Sequence, residues 1–401
     1  MSKPEIRLKG FQGEWQKGKF SAYAKPYFVS NKLVHHQNLL SLSYGKIVRK
    51  DINANKGLLP ASFDTYQIVK DGIIVFRFTD LQNDHKSLRV GIAKEEGIIS
   101  PAYVCVETDN IDPNFLYLQM HTYDLRKLFY SMGDGMRQTL SYNDIKEMQV
   151  FVPSISEQKT IVEFFYELEN DITKEEDKYI KLKQMKQACL VSMFPQSGET
   201  TPRVRFKGFK GEWNCSSLSY FSKKVINKNK NLDIKITLTN SAEYGIINQL
   251  DFFDHDVSNG DNIRGYYVVE NDDFVYNPRV STLAPVGPIN RNKLGYAGVM
   301  SPLYYVFRVS GIDKDYLSCF FKTNLWHKFM KDNGNSGARF DRLSITDDMF
   351  VQMPILYPKS ENEQQQIASF FTNLDKQISL QESRLEKLKQ IKAACLNKMF
   401  V

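Results

Sequence analysis

No stretch of this chain approaches the roughly 18 consecutive apolar residues that a membrane helix needs, and the mean hydropathy of −0.41 agrees. Cysteine is scarce. The five in 401 residues (Cys105, Cys189, Cys215, Cys319 and Cys395) include no C-x-x-C pair. Histidine numbers only six, none in an H-E-x-x-H or finger spacing, which argues against a structural zinc site. The cysteines are therefore expected to be reduced and mostly buried, as in a cytoplasmic protein. The opening residues, Met1-Ser2-Lys3-Pro4-Glu5-Ile6-Arg7, lack the apolar segment of a secretory signal, so secretion is not expected. A G-x-x-x-x-G-K-[ST] loop is missing too, which leaves ATP binding without support.

What the chain does have, it has twice. Residues 4–15 read Pro-Glu-Ile-Arg-Leu-Lys-Gly-Phe-Gln-Gly-Glu-Trp, and residues 202–213 read Pro-Arg-Val-Arg-Phe-Lys-Gly-Phe-Lys-Gly-Glu-Trp, an offset of 198. Ser100-Pro101-Ala102-Tyr103 answers to Ser301-Pro302-Leu303-Tyr304 at 201, and Gly135-Met136-Arg137 to Gly337-Ala338-Arg339 at 202. Leu140-Ser141 matches Leu343-Ser344 at 203. Glu157-Gln158 matches Glu363-Gln364 at 206, as do Lys181-Leu182-Lys183-Gln184 and Lys387-Leu388-Lys389-Gln390. Order is kept while the offset creeps upward, which is a tandem duplication with small insertions. Each copy is roughly 200 residues, too long for a solenoid repeat and right for a domain with an appendage.

Each copy has two textures. Its front and middle show short β-type runs, such as Gly72-Ile73-Ile74-Val75-Phe76 and Asp273-Phe274-Val275-Tyr276, punctuated by Gly, Asn, Asp and Pro. Helical stretches are expected near 113–131 and 314–330. The back, from Glu157 to Phe194 and from Ser360 to Val401, contains neither Gly nor Pro. Alternating steps of four and three pick out Ile161, Phe165, Leu168, Ile172, Glu175, Tyr179, Leu182, Lys186, Cys189 and Met193. The second copy gives Ile367, Phe371, Leu374, Ile378, Gln381, Leu385, Leu388, Lys392, Cys395 and Met399. This is a heptad seam held over several heptads, on helices about 55 Å long.

The sequence thus predicts an α+β protein made of two tandem-duplicated globular domains, each followed by a long helix. The expected domains are 1–155 and 202–361, the helices 156–194 and 362–401, and the linker 195–201. A helix this long must bury its stripe, and the nearest partner is its own duplicate. The two helices should pair as an antiparallel coiled coil with pseudo-twofold symmetry, bringing the chain termini together. The run Lys174-Glu175-Glu176-Asp177-Lys178 reads as a solvated face, with Glu175 a polar break in the seam.

Charge gives a weaker pointer. Fifty-three basic residues against 46 acidic leave a net charge of +7, which suits a nucleic-acid partner without demanding one. Two similar domains joined by a rod suit recognition of a long polymer at two places, and double-stranded DNA is the natural candidate. Candidate DNA contacts are Arg77, Arg137 and Gln138 in the first copy. In the second they are Lys223, Lys224, Lys228, Lys230, Arg279, Arg339 and Arg342. Arg forks onto guanine and Gln onto adenine, which is why these types in loops are singled out.

At this point the residues resemble a family, the specificity subunit of type I restriction-modification enzymes. The marks are the R-x-K-G-F-x-G-E-W openings at Arg7 and Arg205, the Ser-Pro-x-Tyr strands, the Gly-x-Arg…Leu-Ser segments, the Glu-Gln pairs, and the helices ending in Leu-Lys-Gln…Met-Phe. The resemblance covers essentially the whole chain. It implies two target recognition domains, each reading half of a split DNA site, with the long helices as a spacer. It also implies a subunit that is not itself catalytic and works in the cytoplasm of a bacterial or archaeal cell. Its partners would be methyltransferase subunits (two of them) that modify adenine with S-adenosylmethionine, and through them an ATP-dependent translocase-nuclease. This chain would bind no cofactor or metal itself. One departure is that the second copy has three extra residues between Leu343 and Glu363, expected to perturb only a loop.

Two other readings are weaker. A self-contained methyltransferase would need an N/D-P-P-[YF] string beside a flipped base. The nearest, Tyr276-Asn277-Pro278-Arg279, lacks the second proline and the aromatic and reads as a strand end. Asp272 and Asp273 fall in no recognisable nuclease pattern. A coiled-coil adaptor that binds no DNA would share the duplication and the seam.

Overall fold

The computed structural model describes the chain apart from residues 1–2, 54–58, 61, 80, 82–85, 133–138, 252–261 and 336–340. The chain divides into two compact units, residues 1–176 with 383–401, and residues 177–382. The division falls inside both long helices, so each unit holds one globular domain and a segment of each helix.

Domain one contains strands β1 (Gln16–Lys19), β2 (Ala24–Pro26), β3 (Leu40–Ser43), β4 (Lys46–Arg49), β5 (Gln67–Val69), β6 (Ile74–Phe76), β7 (Val90–Ile92), β8 (Gly97–Ile99) and β9 (Val104–Thr108). Helix α1 (Pro113–Leu125), the short α2 (Tyr142–Ile145) and β10 (Gln149–Val152) lead into the long α3 (Ile155–Ser192). Domain two repeats the plan. It has β11 (Asn214–Ser217), β12 (Ser222–Lys224), β13 (Leu238–Ser241), β14 (Gly245–Asn248), β15 (Tyr267–Val269), β16 (Phe274–Tyr276), β17 (Ile289–Arg291), β18 (Gly298–Met300) and β19 (Tyr305–Val309). Helices α4 (Lys314–Phe320), α5 (His327–Asn333) and α6 (Asp347–Phe350) then precede β20 (Pro354–Tyr357) and the long α7 (Glu361–Met399).

The central sheets have matching order, β2-β9-β6-β7 and β12-β19-β16-β17. Their middle strands are short apolar runs buried on both faces, and alternation divides them between two cores. Ile74 and Phe76 pack with Phe20, Phe115 and Phe129, whereas Val75 faces Leu40 and Cys105. Phe274 and Tyr276 likewise join one core and Val275 another. Cys105 is the only fully buried cysteine; Cys215 is exposed and the other three are half-buried, so most are less buried than the sequence suggested.

Both expected helices are interrupted: 113–131 is α-helical only to Leu125, and a separate 3-10 turn at Leu128–Ser131 follows Lys127 at φ +61°. The expected stretch 314–330 stops at Phe320 and restarts at His327. The Thr323 hydroxyl takes the Phe320 carbonyl at 2.7 Å in competition with the helix ladder. Trp326 is buried against Phe321 in the same turn. The three extra residues in the second copy are shared out, two before α6 and one between β20 and α7.

The repeated motifs build one latch in each unit. Arg7 forks onto Glu157 with two bonds of 2.7 Å, and Arg205 onto Glu363 with bonds of 2.6 and 2.8 Å. Both carboxylates are essentially buried. A further guanidinium nitrogen donates to the carbonyl of Gly13 or of Gly211. Those glycines sit at φ +85° and +81°, a left-handed turn that explains the second Gly of the motif. The neighbouring glutamine works inward. The Gln158 amide oxygen accepts from the Asp112 N–H, and that of Gln364 from the Asp313 N–H, each at 2.9 Å. Asp112 and Asp313 are in turn the N-caps of α1 and α4. One dipeptide therefore fixes the opening motif and the domain helix to the root of each long helix.

The long helices close the units. In the first unit the end of α7 enters the domain-one core with Leu396, Met399 and Phe400, and the Ile6 N–H donates to the Lys398 carbonyl at 3.0 Å. The chain's two ends thus meet there. In the second unit Leu190 of α3, with Met193 and Phe194 just past its end, enters the domain-two core, and the Val204 N–H donates to the Ser192 carbonyl at 2.8 Å. Within each unit the α3 and α7 segments run antiparallel. Glu175 meets Arg384 at 3.4 Å and Glu169 meets Lys392 in the first; Tyr179 meets Glu382 at 3.0 Å and Lys186 meets Asp375 in the second. Every seam position is buried or half-buried. Glu175 is accordingly not solvated as the sequence suggested, and the polar breaks at Glu175, Lys186 and Lys392 are ion-paired.

Two outcomes follow from this packing. Replacing Glu363 by Ala strands a partly buried guanidinium, and urea unfolding should show a loss on the order of 2–3 kcal/mol. A loss under about 0.5 kcal/mol would mean the latch is ornamental. The second concerns Asp124 on α1, fully buried, with one carboxylate oxygen lacking a partner among the described residues. Burial pushes its pKa up to about 6, against the counteracting backbone N–H bonds and charges around it. The unfolded chain therefore releases this proton first. Its destabilising effect is absent below about pH 4, grows as pH rises to about 6, and is complete above that. Measured as the difference in thermal midpoint between Asp124→Asn and the parent, the variant should gain stability between pH 4 and 7; a pH-independent difference would refute it.

Candidate nucleic-acid interface

Three of the basic residues singled out in domain two, Lys224, Arg279 and Arg342, line one stretch of surface. Two adjoining clefts share Pro278, Leu303, Tyr304 and Arg342 as a common wall. One cleft adds Lys224, Tyr267 and Tyr305; the other adds Gln249, Asn277, Arg279 and Ser281. Arg279 and Arg342 are paired across an isolated antiparallel bridge, which sets both side chains at the cleft. It is held by the Leu343 N–H donating to the Pro278 carbonyl at 2.9 Å. Arg279 is well exposed, with Asp341 3.8 Å away.

The lysine cluster divides. Lys224 pairs with Asp347 and lies 5.3 Å from the centre of the Tyr305 ring. Lys228 lies 5.8 Å from the Tyr267 ring. Lys223 is exposed on β12, opposite Arg308 in register. Lys230 is exposed, and its carbonyl lies 3.5 Å from an Arg264 nitrogen. Burial, then Asp347 and Asp348, pushes the Tyr305 hydroxyl up to about 12, so it stays protonated and able to donate. Cations over tyrosine rings, with short polar side chains beside them, are the chemistry that holds a phosphate backbone and base edges.

In domain one Arg77 follows β6 directly and is half-buried, its N–H donating to the Arg89 carbonyl at 2.8 Å. Arg137, Gln138 and Arg339 lie outside the described residues. The Tyr276-Asn277-Pro278-Arg279 string is a strand end: β16 stops at Tyr276, and Asn277 Oδ1 accepts from the Arg279 N–H. Asp273 is buried and forked onto Arg308, and Asp272 pairs with Arg291 and Lys314, so both acids are structural. Among the described residues no group of three or more His, Cys, Asp or Glu could hold a metal, and no helix is long and apolar enough to cross a membrane. Sequence reasoning missed Tyr267, Tyr304, Gln249 and Asn277 as cleft residues. Only Tyr304 carried a signal, the repeated Ser-Pro-x-Tyr.

A fold built twice, with this basic, aromatic cleft in its second copy, has the chemistry of a nucleic-acid reader. The model of the type I restriction modification DNA specificity domain matches residues 47–184 and again 211–390. The chain belongs to that family and carries two copies of its domain: it is a DNA sequence-specificity subunit of a type I restriction-modification system, not the catalyst. A search of curated proteins finds no match. Solved structures with a similar fold include the S subunit of a type I restriction-modification system from M. genitalium, at 13% identity and TM-score 0.56, covering 100% of this chain and 99% of that one. The HsdS subunit from Thermoanaerobacter tengcongensis matches at 14% identity and TM-score 0.50, with 96% of both chains covered. A chain from a structure of complex assembly and conformational transition in the type I R-M system matches at 15% identity and TM-score 0.53, covering 96% and 97%.

Arg342 on the shared wall gives a direct test of the cleft. Arg342→Ala, assembled with its partner subunits, should weaken DNA binding by about 1–3 kcal/mol and relax sequence preference at one position of one half-site. Equal binding to all sequences tried, at parental affinity, would remove the cleft from the interface.

Proposed function

We propose that each globular domain reads one half of a split DNA site, with α3 and α7 as the spacer between the two readers. Arg279, Arg342, Lys224 and Lys228 would serve domain two and Arg77 domain one, with Arg137, Gln138, Lys223, Lys230 and Arg339 as further candidate contacts. Methyltransferase subunits, two per chain, would dock on this subunit and transfer a methyl group to adenine from the S-adenosylmethionine they hold. ATP-dependent restriction subunits would join through them, in the cytoplasm.

One observation carries the reading. The specificity-domain model matches each copy separately, and each copy has the same sheet order and the same latch. A shared scaffold plan that carries different loop side chains suits two readers of different half-sites. A coiled-coil adaptor that binds no DNA would leave the cleft of cations on tyrosine rings without a purpose.

The test uses the purified chain with and without its methyltransferase partner. Methylation of a two-part adenine motif should appear only when partner and S-adenosylmethionine are both present. DNA affinity of the complex should fall steeply with salt as counterions return to the phosphates. Methylation by the chain alone, or salt-independent binding, would contradict the proposal.

A further inference from the structure

Beyond β2, domain one carries a loop with unusual exposure. Leu33 is 90% exposed, Phe28 65% and Val34 57%, with Lys32 exposed beside them. Apolar side chains this open usually sit on floppy segments, but here the loop is stapled from inside. Asn31, 2% exposed, accepts from the His36 N–H at 2.7 Å and donates to the His36 and Phe63 carbonyls at 3.3 and 3.2 Å. Its own N–H donates to the Tyr66 carbonyl.

Domain two has the same staple. Asn229, 3% exposed, accepts from the Ile234 N–H at 3.2 Å and donates to the Ile234 carbonyl at 2.7 Å, and its N–H donates to the Tyr266 carbonyl. Counted from the two asparagines, Lys230 matches Lys32 and Ile226, 76% exposed, matches Phe28, whereas Lys228 stands against Ser30 and Asn231 against Leu33. The second loop adjoins the domain-two cleft, and the first occupies the matching place in domain one. Lys228 is bridged to Tyr267, a cleft residue. Ser30 is bridged to Gln67, whose amide donates to the carbonyl of Tyr103, the tyrosine of the first Ser-Pro-x-Tyr.

We propose that these stapled loops enter DNA: in domain one Leu33 acts as an apolar wedge against a base step, and in domain two Lys228 and Lys230 hold backbone phosphates beside the cleft. The inference rests on the DNA-reading function proposed above. One loop in one structural place shares a lysine between the copies, and adds Leu33 in the first, where the second has Asn231, and Lys228 in the second, where the first has Ser30. A hydrophobic protein partner would suit the first and an acidic one the second. DNA presents phosphates and base faces to the same loop and suits both. Apolar wedges that unstack a step are an established way of gripping a groove.

The experiment uses the complex with its methyltransferase partner and the split site found by sequencing methylated adenines. Duplexes carry 2-aminopurine at successive steps of the domain-one half-site. The parent complex should raise fluorescence at one step. Leu33→Ser, at a position too exposed to affect folding, should abolish that rise and weaken binding about tenfold, with the methylation motif unchanged. Lys228→Ala with Lys230→Ala should keep the rise and lower the salt slope by about 2. A parent complex with no fluorescence rise, or a Leu33→Ser complex that matches it in signal and affinity, overturns the wedge while leaving the reading function intact. Loss of methyltransferase binding in Leu33→Ser, with DNA contact unchanged, makes the loop a protein-docking surface and also overturns it. A parent complex that methylates no split site fails the reading itself, and this inference with it.

Discussion

A guanidinium forked onto a buried carboxylate at the root of each long helix is the constraint on which the other arrangements rest. Arg7 with Glu157, and Arg205 with Glu363, join residues more than 140 positions apart in sequence. A buried carboxylate is costly without its partner, so the opening motif has to dock where the helix begins. The glutamine beside it then holds the N-cap of the domain helix, which carries much of the core. In the second copy the Trp213 indole N–H lacks the partner that Trp15 finds on Glu157, among the described residues. The latch persists without that bond, so the Arg–Glu fork is its essential part.

The same construction separates scaffold from reader. The Arg–Glu latch, the Asp caps of α1 and α4, the sheet order and the spacing of the seam recur between the copies. Loop side chains do not: Leu33 of one loop stands against Asn231 in the other and Ser30 against Lys228, and the domain helix breaks after thirteen residues in one copy and after seven in the other. Side chains that touch neither latch nor core are free to vary without altering the frame, which is what a protein needs if its halves are to recognise different sequences.

Much of this was legible in the sequence because the signals are local or periodic. The seam from Ile161 to Met193 and its duplicate announce long paired helices, and short apolar runs announce buried strands. The duplication showed that one plan is used twice. Partnerships across long loops were not legible. Nothing near Glu157 in the chain says that Arg7 will reach it, so the Glu-Gln pair was visible only as a repeated mark. Lys224 looked like one of four free lysines but lies on Tyr305 beside Asp347. Glu175 looked solvated because its neighbours are charged, yet its seam position faces Arg384. The asparagine staples carry no composition signal; a buried Asn five residues from its backbone partner emerges only when the turn is built.

The central claim is that each domain reads its own half of the DNA site on a common frame. Exchanging residues 214–357 for the matching segment of a relative with a different site leaves Arg205, Trp213, Glu363 and Gln364 in place, so the latch should still form. Sequencing of methylated adenines in DNA from cells carrying the hybrid and its methyltransferase partner reads the outcome. The account predicts a motif in which one half changes to the donor's while the other half and the spacer stay as they were. A motif in which both halves change together would contradict it.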